Sequence, residues 1–244
     1  MRVFRKESRW ITRVTILAWA LLLSWSALAP ALVAQPDRWE SAIRTFKQAD
    51  RLHPPPQHAV LFAGSSSIRK WESLEQDFPF VPTIRRGFGG SQMADLLFYA
   101  DSIVIPYDPA VVIVYEGDND IAAGKTPEQM FEDYKAFVQK VETELPDTRI
   151  GFIAIKPSLA RWDLVDQMAR ANRLIRQYTL WKPNLEYIDV FAPMLGIEGK
   201  PRAELLLEDG LHLTPAGYAL WTEIVTPYVR AAMNQLNPHP QQQE

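Results

Sequence analysis

Residues 111–120 read Val-Val-Ile-Val-Tyr-Glu-Gly-Asp-Asn-Asp, an apolar run that stops at a glycine flanked by acidic residues. β-Branched residues fill most of this run, and a short run of this kind predicts a strand buried on both faces. Further candidate strands occupy residues 59–63, 150–155 and 185–190, and residues 83–87, which include two arginines, have a weaker strand pattern. Strands that are apolar throughout are typical of parallel sheets that helices cover on both sides.

Helical segments alternate with these strands. The clearest begins at Thr126, where Pro127 suits the first turn and Gln129 completes the spacing of a capping box. Two more amphipathic segments cover residues 164–181 and 215–233. The alternation predicts one α/β domain in which the chemistry lies at the carboxyl ends of the parallel strands.

Polar clusters stand at the predicted strand ends and before the last helix. They are Gly64-Ser65-Ser66-Ser67, Gly87-Phe88-Gly89-Gly90-Ser91, Glu116-Gly117-Asp118-Asn119-Asp120 and Glu208-Asp209-Gly210-Leu211-His212. Each cluster has an ordinary structural explanation when it is taken alone, because serines cap helices and glycines form tight turns. Their functional meaning therefore depends on whether they act as a set.

The histidines narrow the choice of a catalytic base. His53 and His58 flank a proline segment before the first strand, and His239 lies near the carboxyl terminus. Only His212 is well placed, and Asp209 precedes it by three residues. A serine hydroxyl becomes a good nucleophile when a base takes its proton, and the imidazole in turn needs an acid that fixes its tautomer. The set therefore predicts serine hydrolase chemistry.

Four ordered blocks resemble the SGNH, or GDSL-type, hydrolases: Gly64-Ser65-Ser66, Gly90, Gly117-Asp118-Asn119 and Asp209-Gly210-Leu211-His212. The resemblance implies that Ser66 is the nucleophile and that Asp209 and His212 complete a catalytic triad. It also implies an oxyanion hole formed by the backbone N–H of Ser66 together with Gly90 and Asn119. The implied fold is a three-layer α/β/α sandwich on a flavodoxin-like parallel sheet of about five strands.

The first block departs from the family pattern, because Ser65 stands where the family usually has an aspartate. That aspartate is not a member of the triad, so Ser66 remains the expected nucleophile and Ser65 and Ser67 are weaker candidates. The block also lacks the final glycine of Gly-x-Ser-x-Gly, since Ile68 occupies that position. An α/β-hydrolase nucleophile elbow is therefore disfavoured.

The first 34 residues have the pattern of a secretory signal peptide. Five basic residues lie within the first 13 positions, and residues 14–33 carry no charge. We expect cleavage after Ala34 or Ala31. An uncleaved membrane anchor is the alternative, because about 20 apolar residues can span a bilayer. Both readings predict an exported protein, periplasmic or extracellular, whose only route to membrane association is this segment.

The remaining chain divides into three predicted parts. They are an N-terminal extension or helix at residues 35–57, the SGNH hydrolase domain at 58–236 and a disordered tail at 237–244.

Composition excludes several classes of function. A net charge of −3 without a basic cluster argues against nucleic-acid binding. The absence of cysteine excludes disulfides and thiol nucleophiles, and one well-placed histidine does not make a zinc site. The glycines at residues 87–90 do not have the spacing of a dinucleotide motif. We therefore expect no metal and no cofactor.

The sequence thus predicts an exported serine esterase for small-molecule or carbohydrate esters. Short acyl chains or O-acetyl groups are favoured, because no long apolar lid segment is visible. One alternative is an acyltransferase that uses the same triad, and another is a non-catalytic envelope binding module.

Candidate substrate-binding residues are weaker predictions. Trp71, Tyr115 and Trp162 are candidates for a substrate pocket, although aromatic side chains more often pack in the core. Basic residues near strand ends indicate a charged group on the substrate; they are Arg69, Arg86, Arg161 and Lys156.

Overall fold

The computed structural model describes residues 36–236. The expected signal peptide at 1–34 and the expected tail at 237–244 lie outside the described residues. Within residues 36–236, no helix has the length and apolarity that a membrane crossing requires.

One sheet of five parallel strands forms the centre of the fold. Its strands are β1 (Val60–Gly64), β2 (Thr83–Gly87), β3 (Val111–Tyr115), β4 (Arg149–Ile153) and β5 (Leu185–Ile188). They lie in the order β2-β1-β3-β4-β5, which is the flavodoxin-like order, so this prediction is confirmed. Gly64 is in register with Gly87 and Tyr115, so β1, β2 and β3 end at the same level of the sheet.

Helices cover both faces of the sheet. One face carries α1 (Pro36–Leu52), α4 (Met93–Ile103), α5 (Asp118–Ala122), α6 (Pro127–Glu144) and α7 (Val165–Thr179), and the other carries α2 (Ser66–Arg69), α3 (Leu74–Asp77) and α8 (Pro215–Leu236). Alternate residues of a strand point to opposite faces. Leu61 and Val112 accordingly lie in one core, and Phe62 and Ile113 in the other. This arrangement confirms the three-layer α/β/α sandwich.

Local signals explain where two of the helices begin. At α6 the Thr126 hydroxyl accepts from the Gln129 N–H at 3.1 Å, and the Gln129 side chain accepts from the Thr126 N–H at 2.9 Å. The predicted capping box is therefore present. The sequence analysis did not predict α4, whose start is held by the Asp95 carboxylate, which accepts from the Gln92 N–H at 3.0 Å.

Strands β4 and β5 end earlier than the apolar runs that predicted them. At the end of β4 the Asn172 side chain of α7 takes over the backbone hydrogen bonds. Its Oδ1 accepts from the Ile155 N–H at 2.8 Å, and its Nδ2 donates to the Ile155 carbonyl at 2.9 Å. Residue 155 is thus buried without a strand partner, a difference that hydropathy alone does not reveal.

Candidate active site

The turn after β1 brings Ser66 to the level where the strands end. Gly64 has φ +140°, and a Cβ built there would lie 2.0 Å from the Tyr115 carbonyl oxygen, so glycine is required at this position. The Ser65 N–H donates to the same carbonyl at 3.1 Å, which ties the turn to β3. Ser65 and Ser67 are buried, whereas Ser66 lines a cavity of about 540 Å³. Of the three serines, Ser66 alone faces this cavity.

The cavity brings together residues from distant parts of the chain. Ser66 Oγ lies 3.1 Å from His212 Nε2 although 146 positions separate the two residues. His212 Nδ1 lies 2.6 Å from Asp209 Oδ2. A hydroxyl, an imidazole and a carboxylate in this order can move a proton from the serine to the imidazole and stabilise the cation that results.

Asp209 is held as an anion by its hydrogen bonds. The bond from the His212 side chain contributes most, and the backbone N–H groups of His212 and Leu211 donate to Oδ1 at 2.9 Å each. These donors hold the pKa of Asp209 well below its usual range. The carboxylate of Asp209 is therefore ionised when His212 accepts a proton during the reaction.

Backbone hydrogen bonds hold the loop that carries Asp209 and His212, both within the loop and to the segment around residue 160. The Leu207 N–H donates to the His212 carbonyl at 2.8 Å, and the Ala160 N–H donates to the Gly210 carbonyl at 3.0 Å. Gly210 has φ +63°, and a Cβ there would lie 3.1 Å from Leu159 Cβ. The tight turn between the acid and the base thus depends on glycine.

Three hydrogen-bond donors line the same cavity and suit an oxyanion. The backbone N–H groups of Ser66 and Gly90 donate to no backbone carbonyl in the described part of the chain. Asn119 Nδ2 donates to the Ser91 carbonyl at 2.9 Å, and its Oδ1 accepts from Arg161 Nη2 at 3.0 Å. These two bonds fix the orientation of the amide and leave the second N–H of Nδ2 for a ligand.

A buried acidic layer supports the donors from below. Glu116 is fully buried, and its Oε1 accepts from Ser91 Oγ at 2.5 Å. Burial, and after it the charge of Asp120, raises the pKa of Glu116 well above its usual value. Burial raises the pKa of Asp120 to about 6 although Lys125 lies 3.1 Å away. Asp120 also accepts from the Met93 N–H, so this layer holds the 91–93 segment against the end of β3.

A second buried group positions Arg161. Asp118 Oδ2 lies 3.1 Å from Arg161 Nη1 and 3.4 Å from Lys156 Nζ. Burial lowers the pKa of Lys156, which also donates to the Tyr115 hydroxyl at 3.2 Å. The Asp118 ion pair holds Arg161 where it can orient Asn119.

The structure corrects the predicted aromatic lining of the pocket. Trp71 stacks on Tyr218 with ring centroids 5.3 Å apart, and Tyr115 packs on Trp221 at 4.9 Å. Both are fully buried, because their side chains point into the core beneath α8 rather than toward the strand ends. Trp162 also lies outside the cavity lining, and the Lys200 ammonium lies 4.7 Å from its ring.

The predicted basic residues divide into two pairs. Arg69 and Arg161 line the cavity, whereas Arg86 is buried in an ion pair with Asp50 and Lys156 is buried beneath the cavity floor. Arg38 of α1 also lines the cavity, and the sequence analysis missed it. Arg38 precedes the four blocks that resemble the SGNH hydrolases, so the sequence predicted only that it lies in the extension or helix at residues 35–57.

No three His, Cys, Asp or Glu side chains within residues 36–236 are grouped so that they could hold a metal ion. The cavity that contains Ser66 is lined by hydroxyl, imidazole, amide and guanidinium groups. Its lining suits a polar organic ligand.

Comparisons with known proteins identify the family of this chain. A profile of the GDSL-like Lipase/Acylhydrolase family matches residues 57–220. The platelet-activating factor acetylhydrolase IB subunit alpha1 of Bos taurus is 26% identical over 199 residues, which cover 80% of this chain and 80% of that protein.

Two solved structures share the fold. A GDSL-like lipase from Bacteroides thetaiotaomicron has a TM-score of 0.67 at 18% identity, over 78% of this chain and 98% of that chain. A family 3 carbohydrate esterase from Clostridium thermocellum has a TM-score of 0.56 at 13% identity, over 70% of this chain and 96% of that chain. On the profile match, this chain belongs to the GDSL-like lipase/acylhydrolase family, a family of hydrolases that act on esters.

Proposed function

We propose that this protein is an exported serine esterase that hydrolyses carboxylic esters with short acyl groups, including O-acetyl groups on carbohydrates. The observation that carries the proposal is the pair of contacts Ser66 Oγ to His212 Nε2 at 3.1 Å and His212 Nδ1 to Asp209 Oδ2 at 2.6 Å. Both distances allow proton transfer without rearrangement of the side chains.

The first half of the reaction forms an acyl-enzyme. Ser66 Oγ attacks the ester carbonyl carbon while His212 Nε2 takes the hydroxyl proton. The oxyanion that forms is bound by the N–H groups of Ser66, Gly90 and Asn119, and one such donor contributes about 3–4 kcal/mol to transition-state stabilisation. When the oxyanion collapses, the bond to the alcohol oxygen breaks, and His212 gives its proton to that oxygen.

The second half returns the enzyme to its starting state. Water attacks the acyl carbon, and its proton goes to His212 Nε2. The tetrahedral intermediate then expels Ser66 Oγ, which recovers the proton from His212 and leaves a carboxylic acid. Asp209 stays ionised throughout, because its hydrogen bonds hold its pKa well below its usual range.

Several observations support a short acyl group and an alcohol of polar character. Two glycines and two alanines, residues 89, 90, 122 and 123, line the cavity beside polar and charged groups. The bovine relative is named an acetylhydrolase, and one structural neighbour is named a carbohydrate esterase.

The nucleophile is tested by a pair of neighbouring alanine variants. Ser66→Ala should lose ester hydrolysis by a factor on the order of 10⁴ to 10⁶ and should not react with a fluorophosphonate probe. Ser65→Ala is the matched control, because the Ser65 hydroxyl has no hydrogen-bond partner among the described residues. It should keep both activity and labelling. Peptide mapping that placed the probe on Ser65 or Ser67 would overturn the assignment.

Export rests on the basic start and uncharged run of residues 1–34. Expression of the full chain in a bacterial host, followed by N-terminal sequencing of the exported protein, should give a start near Gln35. Protein that stays in the cytoplasmic fraction would refute this part of the proposal.

A further inference from the structure

The cavity that contains Ser66 is positively charged. Arg38, Arg69 and Arg161 all line it, and none of its described lining residues carries a carboxylate. The whole chain has a net charge of −3, so this concentration of cations is local. A cavity of one charge sign raises the local concentration of ligands of the opposite sign.

The three arginines are not equivalent. Arg161 is occupied by its ion pair with Asp118 and its hydrogen bond to Asn119. Arg38 and Arg69 form no ion pair and no side-chain hydrogen bond within residues 36–236. The Arg38 guanidinium lies over the Trp39 ring, 4.4 Å from its centroid. Other arginines of the domain do have carboxylate partners; they include Arg44 with Glu40, Arg86 with Asp50 and Arg202 with Glu204.

Arg38 and Arg69 lie against the turn that carries the Gly90 N–H. A Cβ built on Gly89 would lie 2.7 Å from Arg69 Nε, and one built on Gly90 would lie 3.3 Å from Arg38 Nη2. The two guanidinium groups therefore come from different helices, α2 and α1, and meet at one two-residue turn. The absence of side chains at Gly89 and Gly90 leaves room for both of them.

A pair of guanidinium groups without carboxylate partners is suited to an anionic oxygen group, because each offers a planar set of N–H donors. On the basis of the esterase activity proposed above, we propose that Arg38 and Arg69 bind a carboxylate or phosphate on the substrate. The enzyme then prefers anionic esters over neutral esters of the same size. The charged group lies beyond the scissile ester on the side of the Gly89–Gly90 turn.

Three acetate esters with closely matched shapes test the preference. They are 4-acetoxybenzoate, 4-acetoxyphenyl phosphate and the neutral 4-acetoxybenzamide. The readout is the ratio of kcat/KM for each anionic ester to kcat/KM for the neutral ester. Comparison of this ratio between variants cancels the intrinsic reactivity of each ester. The two anionic esters separate carboxylate recognition from phosphate recognition.

We expect Arg38→Gln and Arg69→Gln each to lower the ratio by about tenfold, mainly through KM, which is a usual loss for one charge-assisted hydrogen bond. Arg44→Gln is the matched control, because Arg44 lies on the same helix as Arg38 and pairs with Glu40. It should keep the ratio of the wild type. Because Arg38 and Arg69 are exposed, about 1 M NaCl should also reduce the ratio in the wild type.

Two failures are distinguishable. A wild type that hydrolyses the neutral and anionic esters with a ratio that neither substitution changes would overturn this inference alone. A wild type that hydrolyses none of the three esters would overturn the proposed function and this inference together. Circular dichroism of each variant establishes that a lowered ratio does not come from unfolding.

Discussion

Asp209 and Glu116 both hold parts of the candidate active site in place, Asp209 through His212 and Glu116 through Ser91, and their carboxyl groups have opposite environments. The Asp209 side chain is 46% exposed, and its pKa lies well below the usual value. Glu116 is fully buried, and its pKa lies well above the usual value. One group is stabilised as an anion and the other as a neutral acid.

Burial raises the pKa of Glu116, and hydrogen bonds lower the pKa of Asp209. Asp209 receives two backbone N–H groups on Oδ1 and the imidazole on Oδ2, and all of these favour its charged form. Glu116 receives one hydroxyl, from Ser91, and its Oε2 is buried without a hydrogen-bond partner among the described residues. Asp209 is thus stabilised as an anion beside the imidazole that must become charged. Glu116, which only holds the Ser91 segment, is stabilised as a neutral acid. The same change, from acid to amide, should therefore have different results at the two positions.

The largest effect is expected for Asp209→Asn. The amide keeps the shape of the side chain but removes the charge that stabilises the imidazolium, and it favours the wrong tautomer of His212. We expect kcat/KM to fall by a factor on the order of 10² to 10⁴, less than for a buried acid because Asp209 is half exposed. The measurement is a pH–rate profile. In the wild type the lowered pKa of Asp209 keeps its carboxylate ionised, so Asp209 should add no step of its own to the profile.

Glu208→Gln is the control for this variant, because Glu208 is an adjacent exposed carboxylate with no role in the contacts described above. It should retain the wild-type profile. If Asp209→Asn kept full activity with an unshifted profile, the acid that orients His212 would have to lie elsewhere.

A smaller loss of activity is expected for Asn119→Ala. Asn119 lines the same cavity as His212, the partner of Asp209, and is linked to Glu116 through Ser91. Asn119 is held through the Ser91 carbonyl, and the Ser91 hydroxyl in turn is bound to Glu116. Removal of one oxyanion donor should lower kcat by about 100- to 1000-fold. Labelling of Ser66 by a fluorophosphonate should persist, because the contact between Ser66 and His212 does not involve Asn119. A loss of less than about tenfold would contradict the role of Asn119 as an oxyanion donor.

The sequence predicted the parts of the fold whose signals are local. The runs at residues 83–87 and 111–115 became β2 and β3 without change, and Thr126 and Gln129 form the predicted cap. Helix α4 escaped prediction because its apolar residues at 96–100 form a continuous run, which hides the helical period. A continuous apolar run has neither the helical nor the strand periodicity of hydrophobic residues, so it does not distinguish a helix from a strand.

Features that depend on tertiary packing could not be predicted from local sequence signals. Trp71 and Tyr115 lie close in sequence to the functional blocks, but the alternation of side chains places Tyr115 in the core under α8 and not in the cavity lining. Arg38 reaches the cavity only because α1 packs on the sheet through Trp39 and Ile43. The raised pKa of Glu116 follows from complete burial, which no local pattern in the sequence encodes.

The smallest effect on activity is expected for Glu116→Gln. Its effect on the free energy of unfolding should be opposite in sign to that of Asp209→Asn. The glutamine amide has the shape of a neutral carboxyl group, and its Oε1 can still accept from the Ser91 hydroxyl, so kcat/KM should change by less than about threefold. In the wild type the folded protein keeps a proton on Glu116 that the unfolded chain loses near pH 4.3. The folded state then binds more protons than the unfolded state, so the free energy of unfolding falls as pH rises above this value. Glu116→Gln removes this dependence, and Asp120, with a pKa of about 6, leaves only a residual slope.

Urea unfolding at about pH 4 and about pH 8 measures the difference. The variant should be more stable than the wild type at the higher pH, and the two should converge at the lower pH. Asp209→Asn provides the reference of opposite sign. The depressed pKa of Asp209 contributes stability that is present above about pH 4 and is lost as pH falls, so its removal should destabilise the protein at the higher pH. A Glu116→Gln protein that lost more stability at about pH 8 than at about pH 4 would mean that the buried acid is charged, and the contrast between Asp209 and Glu116 would then fail.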